Sequence, residues 1–473
     1  MSKQQTLERK PVTLGVKFGY GIASAGDAIV FAIMTVFLML FLTTVAGLEP
    51  GTAGTVSSVA LFSSAVATLF IGYFSDNSKS KTGRRRPFVK VAIPFMFIAF
   101  VMLYSSFGLT GTTAVLYYGF FAILFWISYC AFFVPYTALG AEITGDYGER
   151  TSLRSYAAVF TQAGNLTGGA LPLLLVGALI ASGQTESMSW TMTAAVFAGA
   201  SAIFIGSMVA VTKGRELIID RSKETEKPNL FKDYFMVLKS KPMIWLILSI
   251  IGFNIVNAIF AANLPFFVIF KLGMSDAYVP VIISIMFIAA IPMAPVINYI
   301  AQKLDKRKAY IFLFCLSAAL MLILRLMGVN SYPMMIALTI ALVVSNAAYW
   351  QLIAAIIYDV AEVIELKTGK RAEGTLASLQ SITQQIGSAI AVFLMGWFLQ
   401  FNGFNAMAET QTDQAIGALI TVQTVIPSIL LFISAAMMLI FPITKNKFEL
   451  VQKALTQKDE TGNYDKTGLE RIL

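Results

Sequence analysis

Twelve apolar runs, each about 20 residues or longer, alternate with short polar stretches along this chain. Such a length crosses a hydrocarbon core. The runs are continuous rather than alternately apolar and polar, so the pattern predicts helices and not barrel strands. They fall near 18–45, 52–75, 88–108, 114–143, 152–182, 190–212, 242–271, 277–302, 309–329, 331–361, 373–402 and 413–443. The predicted fold class is an all-α polytopic membrane protein with twelve transmembrane helices in two six-helix bundles. The N-terminal stretch MSKQQTLERKPVTLGVK is polar and basic, and the run behind it is too long for a signal-peptide core, so it reads as a retained first helix.

The longest charged interruption, KGRELIIDRSKETEKPNLFKDYFMVLKSK at 213–241, divides the runs six and six. This predicts an N-terminal bundle over 1–212, a connecting linker over 213–241, a C-terminal bundle over 242–443 and a tail over 444–473. Within the linker, Leu230, Tyr234, Val237 and Leu238 fall on one helical face, which predicts a short interfacial helix. An internal echo supports the division. Thr161–Gln162 and Thr383–Gln384 each follow a charged helix start, 222 residues apart. The loop KLDKRK at 303–308 likewise echoes the basic cluster at 79–86.

Charge then sets an expected orientation. With the N-terminus cytoplasmic, the outer connections AGLEPG, GLTGTT, SGQTESMS, GMSDAY, VNSYP and NGFNAMAETQTD contain no lysine or arginine. Of 35 basic residues, 33 fall on the other side, the exceptions being Lys271 and Arg325. That is the positive-inside bias, and it places both termini in the cytoplasm and the protein in the cytoplasmic (inner) membrane. The net charge of +9 is thereby accounted for by an anionic leaflet, with membrane lipid as the partner and no nucleic acid.

Chemistry narrows the class further. The chain has no histidine, which removes the commonest general base and metal ligand. No GxxxxGK[ST] loop or nucleophile–base pair is apparent, so an enzyme and an ATP-driven pump are both disfavoured, and no cofactor or metal is expected. Asp27, in FGYGIASAGDAIVF, is the exception to an apolar first helix. It lies about 15 Å along that helix, near the bilayer midplane. An ionisable group there is costly and marks a functional site by default. Tyr20, Gln162, Asn165, Asn254, Asn257, Trp350, Gln380, Gln384 and Gln385 are further polar or aromatic residues at comparable depth. Two roles fit such amides: hydrogen bonds to a polyol beside an aromatic plane, or hydrogen bonds between helices.

Three loop segments carry a more specific signal. In order, FSDNSKSKTGRRRPF (74–88), VPYTALGAEITGDYGERTSL (134–153) and DVAEVIELKTGKRAEGTLAS (359–378) resemble the cytoplasmic signatures of the glycoside–pentoside–hexuronide:cation symporters, the melibiose-permease-like family of the major facilitator superfamily. The resemblance implies two six-helix bundles, alternating access and a central site for a small solute. It also implies that Asp27 takes sugar hydroxyls. A cytoplasmic gate would be built from Asp76, Arg84, Glu142, Asp146, Glu149, Arg150 and Arg154 in the first half. Asp359, Glu362 and Arg371 would serve in the second. For Arg84, Arg85 and Arg86 a second role fits equally, that of fixing topology against lipid phosphate.

The sequence departs from that family at the ion site. The expected acidic pair on the second helix falls on Ser64 and Thr68, the fourth-helix carboxylate on Phe133, the sugar-clamping arginine on Ala158 and the eleventh-helix lysine on Gln385. Two hydroxyls and a phenyl ring suit sodium poorly, so a coupling proton or plain facilitation is expected in its place. The leading expectation is a monomeric secondary transporter of a sugar-like solute. A same-fold carrier of an amphipathic, lysolipid-like solute is the alternative.

Overall fold

The computed structural model describes residues 12–76, 78, 80, 83, 85–144, 146–215, 230–369, 373–408, 410–461, 467, 469 and 472. Among these the secondary structure is helical throughout. The first unit, Met1–Thr225, holds α1 (Leu14–Thr44), α2 (Pro50–Asp76), α3 (Arg86–Leu103), α4 (Gly111–Glu142), α5 (Tyr147–Ala181) and α6 (Glu186–Val211). The second, Glu226–Leu473, holds α7 (Leu230–Leu238), α8 (Lys241–Phe266), α9 (Tyr278–Leu304), α10 (Lys306–Met327), α11 (Tyr332–Thr368), α12 (Glu373–Phe401), α13 (Asp413–Ile440) and α14 (Lys445–Thr461). Twelve of these helices are long and apolar enough to span a bilayer, and the protein is a multi-pass membrane protein.

Local chemistry sets the helix ends. Asp146 caps α5, its Oδ1 accepting from the Glu149 amide at 2.8 Å, and Thr185 and Thr412 cap α6 and α13 in the same way. Pro265 sits one residue from the end of α8, which loosens into a π turn over Phe267–Lys271.

In the first unit α1 is the central element, packed by α5 and α6. Gly164 and Gly168 of α5 lie against the backbone of α1. A Cβ on Gly164 would stand 2.5 Å from the Ala25 carbonyl oxygen, and one on Gly168 2.4 Å from that of Ile29. Such contact is open only to glycine. From the other side, Ser201 of α6 donates to the Gly26 carbonyl at 2.8 Å. The second unit repeats the device. A Cβ on Gly387 of α12 would stand 3.2 Å from the Ile251 carbonyl oxygen of α8. Ile29 and Ile251 are separated by the same 222 residues as Thr161 and Thr383.

Two elements differ from the sequence pattern. Helix α11 runs on to Thr368 rather than ending near 361, so Asp359, Glu362 and Glu365 are helical. The tail contains α14, which the hydropathy pattern does not predict. Its Val451 and Ala454 are buried, and Lys458 Nζ donates to the Leu366 carbonyl at 2.6 Å. The interfacial helix expected in the linker corresponds to α7, with Val237 buried and Phe235 exposed. The rest of that linker, 216–229, lies outside the described residues.

Candidate functional site

The carboxyl group of Asp27 is held in the middle of α1 with 8% of the residue exposed. The Tyr129 hydroxyl of α4 faces that carboxyl group, and Oδ1 is left buried without a partner. On the turns before Asp27 a hydroxyl ladder continues between the same two helices. Ser24 Oγ lies 2.5 Å from the Tyr136 hydroxyl, which donates to the Tyr20 carbonyl at 3.0 Å. The Tyr20 and Tyr136 rings stack 4.7 Å apart. Gly140 gives Tyr20 its place, since a Cβ there would meet the Tyr20 hydroxyl at 2.3 Å. Asp27 and Tyr20 thus both sit in the polar network of side chains along the seam between α1 and α4, as two separate groups. Its other members, Ser24, Tyr129 and Tyr136, were not singled out by the sequence. Tyr129 and Tyr136 are seven apart on α4, a same-face spacing that could have marked them.

Beside these residues, the positions aligned with the family's ion site carry two hydroxyls and a ring, with the thiol of Cys130 against the hydroxyls. Cys130 Sγ lies 3.2 Å from Ser64 Oγ and 3.4 Å from Thr68 Oγ1. Phe133 stacks on Tyr129 at 5.6 Å with 10° between the planes. Two hydroxyls and a thiol hydrogen-bonded to one another form a neutral cluster that offers an alkali ion no carboxylate oxygen.

In the second unit the amides converge on a residue that sequence reasoning missed. Tyr349 of α11 accepts from Asn254 Nδ2 at 3.2 Å and from Gln384 Nε2 at 3.1 Å, and Gln380 also hydrogen-bonds to it. One turn earlier on α11, Asn346 donates to Asn257 Oδ1 at 2.8 Å. Asn254 and Asn257 therefore meet Tyr349 and Asn346 as two rungs between α8 and α11, so both amides tie helices together in this conformation. Trp350 is 55% exposed and packs edge-on against Tyr349. Gln162 is exposed, while Asn165 and Gln385 are half-buried.

The charged residues at the helix ends are also placed. Glu149 accepts from the Val12 amide at 3.1 Å and from Thr144 at 2.5 Å, and Arg150 Nε donates to the Thr144 carbonyl at 2.8 Å. With Asp146 they organise the start of α5, from which Arg154 projects exposed. Arg86 is buried, its Nη2 donating to the Val209 carbonyl of α6 at 2.5 Å. In the second unit Lys306 Nζ contacts both oxygens of Asp359, at 2.7 and 3.0 Å, and Glu362 hydrogen-bonds to Gln452 of α14. Arg84 and Arg371 lie outside the described residues. Asp76 and Glu142 are described only as positions in α2 and α4.

Comparison with known proteins bears on the class. The family model described as MFS/sugar transport protein matches residues 19–445. The inner membrane symporter YicJ of Escherichia coli (strain K12) is 24% identical over 93% of this chain and 94% of its own. The sodium-dependent lysophosphatidylcholine symporter 1 of Xenopus tropicalis is 22% identical over 93% of this chain and 89% of its own. Among solved structures, the crystal structure of a D-xylose–proton symporter superposes with a TM-score of 0.64 at 14% identity, covering 92% of this chain and 98% of that one. The family match over residues 19–445 makes this chain a secondary transporter and not an enzyme. The chain belongs to the MFS/sugar transport protein family.

Proposed function

We propose that this protein moves a sugar-like solute (a glycoside, pentoside or hexuronide) across the cytoplasmic membrane by alternating access, coupled to a proton rather than to sodium. The observation that carries the reading is Asp27, a buried carboxyl group that faces the Tyr129 hydroxyl and keeps one buried oxygen without a partner. A solute hydroxyl can donate to Oδ1, and a proton can cancel the charge, so one side chain links solute to ion. The neutral cluster of Ser64, Thr68 and Cys130 supports the proton over sodium. On the solute side, Tyr20, Gln162, Asn165, Asn254, Asn257, Trp350, Gln384 and Gln385 supply the hydrogen-bonding groups and an aromatic plane. Several of them exchange an interhelical bond for one to the solute.

The gate is assigned to Asp76, Arg84, Glu142, Asp146, Glu149, Arg150 and Arg154, with Asp359, Glu362 and Arg371 in the second half. Ion pairs at helix ends are individually weak, which suits a closure that must open on each cycle. The half-exposed Lys306–Asp359 pair has that character. Both termini and these ends face the cytoplasm, following the positive-inside bias, and the working unit is a monomer.

An amphipathic solute is the second reading, supported by the likeness to a lysophosphatidylcholine symporter and by Ala158 in place of a clamping arginine. Uptake of labelled sugars into proteoliposomes separates the readings. An inward proton gradient should drive accumulation, and replacing sodium by choline at fixed pH should leave it within about twofold. Accumulation that follows sodium alone would refute the coupling, and accumulation of lysolipid but of no sugar would refute the solute class.

A further inference from the structure

Two buried polar atoms in the first unit lack partners on residues that share Tyr129 as a neighbour. One is Asp27 Oδ1 and the other is the indole nitrogen Nε1 of Trp126, on a residue only 2% exposed. Both flank Tyr129. The Tyr129 hydroxyl faces Asp27, and the Tyr129 ring centroid lies 5.4 Å from that of Trp126. The sequence dictates this meeting, because Trp126 and Tyr129 share a face of α4 at i and i+3, as Asp27 and Phe31 share a face of α1 at i and i+4. Phe31 covers the patch. Its ring meets Trp126 edge-on at 5.9 Å and Tyr129 at the same distance, while the residue itself remains 40% exposed.

Buried donors and acceptors are normally paired, and an exception asks for a reason. Here one orphan only accepts when ionised and the other only donates. A hydroxyl group is the small group that satisfies both at once, since its oxygen accepts from the indole and its hydrogen goes to the carboxylate. We infer that Asp27 Oδ1 and Trp126 Nε1 hold one hydroxyl group of an uncharged polyol, reached when Phe31 swings aside. This rests on the sugar reading above and adds Trp126 to the solute site. It also narrows the solute class, because a carboxylate-bearing sugar would bring its charge toward Asp27, with Ala158 standing where the family's clamping arginine is expected.

The test uses the full-length protein in nanodiscs and a nitrophenyl glycoside series. The series holds the parent, its single deoxy analogues and the corresponding glucuronide. Trp126→Phe keeps the ring and removes the donor, so it should weaken the parent about tenfold while leaving one deoxy analogue bound as in the wild type. The glucuronide should bind more weakly than the parent. Equal losses across the whole series, or none, would overturn the assignment of Trp126, and equal binding of the glucuronide would overturn the charge preference. In the wild type, the Trp126 indole N–H resonance should shift with the parent and not with that deoxy analogue, a readout that needs no variant. If the wild type binds no glycoside of any kind, the sugar reading itself fails.

Discussion

Arg86 and Arg307 perform the same task in the two halves of the chain. Each begins the third spanning helix of its half and donates to carbonyls at the C-terminal end of that half's last spanning helix. Arg86 reaches Val209 of α6, and Arg307 reaches Met438 and Leu439 of α13. The last four carbonyls of a helix have no partner within it, and a cation beside them opposes the partial negative charge there. These arginines lock each bundle internally. The basic loop therefore has a role within its own half besides any part in the gate.

Replacing Arg307 by Ala should destabilise the protein by about 1–3 kcal/mol, the size of a charge-assisted hydrogen bond lost from a part-buried site. Replacement by Lys should lose less, because charge at the helix end is kept. Apparent melting temperatures of the purified variants would show the order wild type, Lys, Ala. No difference between Lys and Ala would mean that charge at the helix end is irrelevant, and no difference between Lys and the wild type that the guanidinium geometry is.

Asp27→Asn should abolish coupled accumulation without unfolding the protein. The amide preserves size and can still accept from Tyr129, but it cannot carry the proton. Wild-type uptake by a well-expressed Asp27→Asn variant would remove this residue from the coupling mechanism.

Tyr349→Phe should cost about 1–3 kcal/mol, since Asn254, Gln380 and Gln384 lose a shared hydroxyl while their own polar groups stay in place. Trp350→Phe, on an exposed neighbour, should change stability by less than about 0.5 kcal/mol. Thermal denaturation in one detergent compares them directly, and an equal effect of the two substitutions would contradict the hub assigned to Tyr349.

Asp305 joins α9 to α10 at φ 80°, ψ 147°, a conformation suited to glycine, and its Oδ2 accepts from the Lys445 amide at the start of α14. Asp305→Ala loses the cap and keeps the strain, whereas Asp305→Gly loses the cap and relieves it. Glycine should therefore be the more stable of the two by about 1–2 kcal/mol. The check is chemical denaturation of both variants alongside the wild type, and equal stability would show that the strain is negligible.

The spanning helices were legible because their hydropathy is set by the bilayer, not by neighbouring helices. Their polar extensions were not. The last three turns of α11 carry Asp359, Glu362 and Glu365, so hydropathy falls while the helix continues. Helix α14 is strongly charged, and it owes its place to docking through Val451, Ala454 and the Asp305 cap, which no local pattern reveals. Asp27 stood out because an acid at mid-membrane depth needs a reason. Tyr129, Tyr136 and Tyr349 did not, since aromatic residues make up 12% of the chain and only the register between helices picks out the three that hold the polar groups.

The glycine contacts between α5 and α1 limit how the first half can work. With Gly164 and Gly168 seated against the carbonyls of Ala25 and Ile29, neither helix can slide past the other without driving backbone into backbone. Any displacement of Asp27 along the membrane normal must carry α5 with it. The acid and the charged start of α5, about five turns away along that helix, are then two ends of one lever, and a load on either is felt at the other.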